Sequence, residues 1–407
     1  MAATPTQARV AVSLLFALNG VLPAAWIGRL VDIQRDAGID DAVLGVVMSM
    51  GAVGGLALGL LAGPFAARWG SGRVAVISFL LLAPVTALIA FESTALALGF
   101  TLFWLFGLDA VMDAAMNAHS IRVQKAYGRS ILNSFHGWWS LGTVAGSSIA
   151  ALSAALGLAL RSYLVVLAGL AMVLALFAWR WLLPGADPDS HLEESSADSS
   201  LDAASSAPSS SSRFGASRGA IGRRAALLGL FIFLAVIVED VPARWSSIYL
   251  TDAGAVGGWV SMGLVAFTVA MTVGRFVGDR LVDGFGNVLV ISVGMAASAV
   301  ALGAALVLGG VVGYLLACLV VGFGVAPLFP AAIHAAAHVP GLRPATGVAV
   351  VSWLSRAGFL FAPIIVGLVS TSAGIGWGIS LAVVSAALLV PLALVLREQR
   401  VKRRVNA

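Results

Sequence analysis

Apolar runs of roughly twenty residues, set apart by short polar breaks, recur along the whole chain. They fall at about 9–30, 43–67, 74–91, 95–120, 131–155 and 162–183, then at about 223–250, 257–279, 288–309, 311–336, 346–370 and 373–396. Twenty helical residues cover a hydrocarbon core about 30 Å thick. The pattern predicts an all-α polytopic membrane protein with twelve transmembrane helices in two pseudo-symmetric six-helix bundles. The N-terminal bundle takes 1–183, and the C-terminal bundle takes 222–407 with its basic tail. Residues 184–221 between them are rich in Ser, Asp, Pro and Gly. Such a stretch buries too little apolar surface to fold, and it reads as a disordered linker.

Composition agrees with this pattern. Of 407 residues, 60% are hydrophobic and only 11% charged, against about 25% charged in soluble domains. The sequence pI near 10.0 does not point to nucleic acid, because most of the 24 Lys and Arg sit in connections between apolar runs. A single cysteine, Cys318, excludes an intrachain disulfide and a multi-cysteine metal site. No cleavable signal peptide is expected, since Arg9 leads into an apolar run without a small-residue cleavage site.

The placement of the bases predicts orientation. With a cytoplasmic N-terminus, the inner side receives Arg9, Arg68, Arg73, Arg122, Lys125, Arg129, Arg180, Arg213, Arg218, Arg223, Arg224, Arg275, Arg280 and Arg343. It also receives the tail's Arg397, Arg400, Lys402, Arg403 and Arg404, which makes nineteen against the outer four, Arg29, Arg35, Arg161 and Arg244. Both termini and the linker are therefore expected in the cytoplasm, in a bacterial cytoplasmic membrane.

The halves echo each other. "PAAW" at 23–26 returns as "PARW" at 242–245, and "GLDAVMDAAMN" at 107–117 aligns with "GVAPLFPAAIH" at 324–334. In the second pair Asn117 meets His334. Both matches fall at equivalent places of a six-plus-six layout, as in repeat-built transporters.

Twelve spans in two halves around a central loop resemble the major facilitator superfamily. That resemblance implies a secondary active transporter working by alternating access, functional as a monomer, with no cofactor. The superfamily's loop motif after span 2 is similar to "GPFAARWGSGR", with Gly63, Arg68, Gly70 and Arg73 in place and Ala67 where an acid is usual. Its second copy, "DRLVDGFG" at 279–286, keeps Asp283 but has Gly284 where a base is usual. The motif implies gating roles for Arg68, Arg73, Asp279, Arg280 and Asp283, in an altered charge cluster. "GLDAVMDAAMNAH" with "YGRSILNSFHGWWSLGTVAG" resembles the fucose:proton symporters, and most closely a bacterial branch with a Phe-His-x-x-Trp-Ser-x-Gly signature in span 5. "EDVPARWSSIYL" and "GRFVGDRLVD" fit that branch as well.

Candidate chemistry follows from ionisable residues inside spans, which are costly unless they face a cavity or a partner. Asp109, Asp113 and Asn117 recur every four residues of span 4, within about 80° of one helical face. The symporter resemblance places the proton-coupling acid at Asp113, and Asp109 is the alternative. The symporters also carry an acid in span 1, where this chain has only Asn19 as a strongly polar side chain. Glu239 in span 7 is a candidate to replace it. Its neighbour Asp240 stands four residues before Arg244, the spacing of an internal ion pair. His136, early in span 5, could relay a proton or be held by Asn133. For the solute, the candidates are Asn19, Asn117, His334, Arg356 in span 11, and Trp138 or Trp139 as a stacking platform. His338 reads as a loop-end residue. The Gly51, Gly55, Gly59, Gly63 ladder reads as a close helix contact.

The functional expectation is proton-coupled symport of a small polar solute such as a sugar or sugar derivative. The partners are that solute, protons and the lipid bilayer, without nucleic acid. No Walker loop, HExxH or nucleophile set supports an enzyme or an ATP-driven pump. The alternative is a proton-coupled antiporter exporting a drug or apolar metabolite, but 131–155 lacks the prolines of the antiporter motif. A sensor that binds without cycling stays open.

Overall fold

The computed structural model describes residues 4–129, 131–185, 218–337, 339 and 344–396. Among these the regular elements are all helical. Span 1 is Pro5–Ile27, span 2 Asp41–Gly59, span 3 Ser71–Leu88, span 4 Ala95–Tyr127, span 5 Leu132–Ala155 and span 6 Leu160–Trp179. Span 7 is Arg218–Asp252, span 8 Met262–Phe285, span 9 Asn287–Leu308, span 11 Pro344–Ala373 and span 12 Ile375–Leu392. Eleven helices are long and apolar enough to cross a membrane. Leu132–Ala155 is the twelfth spanning helix. It is less apolar along its whole length than the spanning windows of the others, with Ser, Thr, Gly and Trp spread through 138–155.

Several boundaries differ from expectation, each for a local reason. Span 10 is not one helix. It runs Val311–Val325, breaks, and resumes as Leu328–Ala337. Pro327 sits in the break, where its missing N–H and its ring forbid a regular turn. Span 2 ends at Gly59, and the loop motif forms a separate helix, Ala62–Trp69. A short helix, Leu30–Ala37, follows span 1 and stops at Gly38, whose φ of 63° lets its N–H reach the carbonyls of Arg35 and Gln34. The end of the expected linker is already helical from Arg218. The rest of that linker beyond Gly185, the basic tail and His338 lie outside the described residues.

The chain forms two compact units. The first holds the described parts of Met1–Trp26, Met50–Gly146 and Leu158–Gly215. In it, span 1 and span 5 touch backbone to backbone. A Cβ on Gly142 would strike the Ala17 carbonyl oxygen, and one on Gly146 the Val21 carbonyl oxygen. Span 2 meets span 4 through Gly51 against Phe106 and Gly54 against Phe103. The expected ladder is thus only partly used. Gly55 and Gly59 make ordinary to tight contact with Phe106 and Ala110, and Gly63 faces open space. Small residues permit such approach where lipid supplies no hydrophobic drive between helices.

The second unit holds the described parts of Ile27–Ser49, Ser147–Gly157 and Ala216–Ala407. Here the start of span 2 lies against span 11. The Ala42 N–H donates to Thr371 Oγ1 at 2.9 Å, Ser49 Oγ donates to the Leu360 carbonyl at 2.6 Å, and Gly45 abuts Pro363. The end of span 5 lies against span 8, with Ser147 and Thr268 hydroxyls 3.1 Å apart. Ser261 donates to the Gly28 carbonyl. Arg29, read from the sequence as one of the outer-side bases, is buried. It pairs with Asp32 and donates to Ser153 Oγ at 2.9 Å.

Candidate functional site

Span 4 starts cleanly because Thr94 caps it, its hydroxyl accepting from the Ala97 N–H at 3.3 Å. Fourteen residues on, about 21 Å along the helix, Asp109 emerges. Its Oδ1 accepts from Asn19 Nδ2 at 2.8 Å. The same amide nitrogen lies 3.1 Å from Met112 Sδ, and Asn19 Oδ1 accepts from Trp139 Nε1 at 3.0 Å. Asn19 is only 4% exposed, so both ends of its amide are used away from water. Three spans meet there: Trp139 in span 5, Asn19 in span 1 and Asp109 in span 4 form one relay of hydrogen bonds. The close glycine contacts between spans 1 and 5 set its spacing.

One turn further along span 4, Asp113 is exposed. Its Oδ1 accepts from Asn117 Nδ2 at 3.0 Å, and Asn117 also reaches the Asp113 carbonyl at 2.9 Å. The charges within reach of Asp113 and Asp109 are His136 for the first and Asp113 itself for the second. His136 is exposed and edge-on to Phe16, ring centroids 5.3 Å apart, while Phe16 stacks on Phe135 at 5.5 Å. Asp109, Asp113, Asn117, His136, Asn19 and Trp139 therefore belong to one neighbourhood of the first unit. Trp138 does not join the relay and is 47% exposed.

Span 7 carries the charges of the second unit. Asp240 and Arg244 make the expected i,i+4 ion pair, with Asp240 buried and Arg244 half-buried. Glu239, half-buried, lies within charge reach of Arg275 and of that pair. By sequence Arg275 counts only as an inner-side base. It lies inside the apolar window 257–278 of span 8, and its position one helix over from Glu239 was not readable from spacing. His334 is exposed in the second piece of span 10. Arg356 is exposed and lies near the middle of the span 11 helix, Pro344–Ala373, as expected. It is therefore not a buried guanidinium.

Arg68, Arg73, Arg280 and Asp283 are exposed, and none forms an ion pair with a described residue. The Arg68 guanidinium sits 5.9 Å from the Trp69 ring centroid. The side chain of Asp279 lies outside the described residues. One polar group escaped sequence reasoning although it ends the motif. His119 is buried, with Nδ1 3.2 Å from Ser71 Oγ. It points away from the Asp113 face because two residues turn a helix by about 200°.

Among the described residues no group of three or more His, Cys, Asp or Glu could hold a metal ion. The relay makes a direct prediction. Asn19→Ala removes the acceptor of the Trp139 N–H and the donor to Asp109, each loss costing about 1–3 kcal/mol. The thermal unfolding midpoint of the purified variant is expected to fall clearly. A midpoint equal to wild type would mean that the relay contributes nothing to stability.

Comparison with known proteins supports the architecture. The family profile described as Major Facilitator Superfamily matches residues 10–345. An MFS-type transporter of Yersinia pestis is 27% identical over 365 residues, covering 89% of this chain and 88% of its own. The solved nucleoside transporter NupG, 17% identical, superposes with a TM-score of 0.70 over 95% of this chain and 98% of its own. A D-xylose-proton symporter, 15% identical, superposes with a TM-score of 0.71 over 95% and 97%.

Proposed function

The chain belongs to the major facilitator superfamily, and from that premise we propose that it is a proton-coupled symporter of a small polar solute, of the sugar or sugar-derivative class. It is a membrane transporter and not an enzyme. The observation that carries the symport reading is the pair Asp109 and Asp113, one turn apart within a spanning helix and served by amides and a histidine, with no Lys or Arg bonded to either among the described residues. A carboxylate so placed is best balanced by a proton. Asp113 is exposed and takes the coupling role. Asp109, bonded to Asn19, senses the position of span 1 through the relay. Asn117, His136 and Trp138 are the solute candidates of the first unit, and Glu239, His334 and Arg356 those of the second.

The polar-solute class is supported by the amide and indole donors at the site, by the resemblance of spans 4 and 5 to the fucose:proton symporters, and by the folds shared with a xylose-proton symporter and a nucleoside transporter. The excess of bases on one side favours cytoplasmic termini in a bacterial inner membrane. Arg68, Arg73, Asp279, Arg280 and Asp283 then lie at the cytoplasmic gate.

Proteoliposomes holding a trapped pH-sensitive dye test this reading. Sugars, polyols, sugar acids and amino acids are added in turn. Acidification of the lumen by one class is expected. Proton exit on addition of an apolar compound instead would favour the antiporter. Binding without any proton movement would make the protein a sensor.

A further inference from the structure

Asp240 and Ser247 each hold a buried polar atom without a partner among the described residues. Asp240 is 4% exposed and Ser247 3% exposed. Asp240 Oδ1 accepts from Arg244 Nε, while Oδ2 accepts from nothing. Ser247 Oγ likewise has no hydrogen-bond partner. A carboxylate oxygen or hydroxyl left so is costly and calls for an explanation.

Ser247, like Ser370, departs from the usual arrangement of buried helical hydroxyls in this protein. A helical hydroxyl has a ready fallback, the carbonyl four residues before it. Thr86, Thr143, Thr251, Thr268 and Ser298 all take it, at 2.7–3.0 Å. Ser247 does not bond the Ala243 carbonyl, so its hydroxyl is turned elsewhere. Asp240, Arg244 and Ser247 share one face of span 7, within about 60° of each other. Asp240 stands twelve residues, about 18 Å, from the Asp252 end of the span. That face thus offers an anionic acceptor, a guanidinium held by it, and an uncommitted hydroxyl in sequence along the helix.

An ion pair kept only for architecture would have its remaining lone pairs satisfied, since a half-satisfied buried pair costs more than it returns. We propose that Asp240, Arg244 and Ser247 form a hydroxyl-binding subsite for a polyhydroxylated solute. Asp240 Oδ2 accepts one solute hydroxyl, Ser247 Oγ exchanges a hydrogen bond with another, and the Arg244 guanidinium is oriented by Asp240. The subsite rests on the polar-solute reading above and extends it to three residues that sequence spacing assigned to a structural pair.

Thermal-shift measurements on purified protein, with D-xylose, L-fucose, D-glucose, myo-inositol and uridine as probes, separate the two claims. Wild type, Asp240→Asn and Ser247→Ala are compared. At least one probe is expected to stabilise wild type, with affinity about tenfold weaker in D240N and roughly threefold weaker in S247A. Without probe, S247A is expected to melt no lower than wild type, because its hydroxyl bonds nothing. A probe response that survives unchanged in both variants overturns the subsite while leaving polar-solute transport standing. A lower melting point for probe-free S247A also overturns it, since the hydroxyl would then have a structural partner. No response of wild type to any probe overturns the polar-solute reading itself.

Discussion

Asp113→Asn is expected to abolish accumulation of solute against its gradient while leaving solute exchange intact. With one proton moved per solute, each unit of pH gradient supplies about 1.4 kcal/mol, or tenfold accumulation. Asn is nearly isosteric, can still accept from Asn117, and cannot take up a proton. The carrier would then reorient with or without a driving gradient, and internal solute would settle at the external concentration. Counterflow in proteoliposomes reads exchange, and uptake under an imposed pH gradient reads coupling. Tenfold accumulation in well-folded D113N would move the coupling role to Asp109, where Asp109→Asn should then give the loss. If neither variant loses accumulation, proton coupling at span 4 is wrong.

Gly142→Val is expected to cost most of the folded protein. The added Cβ falls on the Ala17 carbonyl oxygen, a backbone atom that cannot swing aside. Overpacking typically costs about 1–3 kcal/mol where side chains can yield. Here the whole of span 1 must move, and Asn19, two residues on from Ala17, would be drawn away from Trp139 and Asp109. Gly169→Val provides the control. It lies exposed on span 6, with nothing within 4 Å of its added Cβ, and should behave as wild type. Detergent-soluble, monodisperse yield and the thermal midpoint compare the two. Equal behaviour would mean that the span 1–span 5 contact is looser than described.

The polar positions inside spans were legible because each is an exception against an apolar background. Asp109, Asp113, Asn117, Asn19, Glu239 and His136 all stand out that way, and the Asp240–Arg244 spacing correctly announced a pair. Arg275 was not legible. A base near the end of an apolar run is ordinary topology, and its nearness to Glu239 exists only once span 8 packs on span 7. The hydrogen bond of Trp139 was not legible either. An indole suggests a stacking surface, yet here its N–H fixes an amide. Arg356 is central in its helix as the flanking apolar residues implied, but its exposure appears only once the neighbouring helices are in place.

What the sequence determined by itself is everything set by length and local pattern. Hydrophobic runs long enough for a bilayer specify spanning helices, since a backbone in lipid must satisfy its hydrogen bonds within the helix. Pro327 specifies the break in span 10 in the same local way. The tertiary structure alone decided who meets whom. Asn19 and Asp109 are 90 residues apart, and Asn19 and Trp139 are 120 apart. No local rule links them, because their meeting depends on glycine contacts between whole helices. The open Asp240 oxygen and the unbonded Ser247 hydroxyl likewise appear only when every neighbour is in place, because satisfaction of a polar atom is a property of its surroundings and not of its residue.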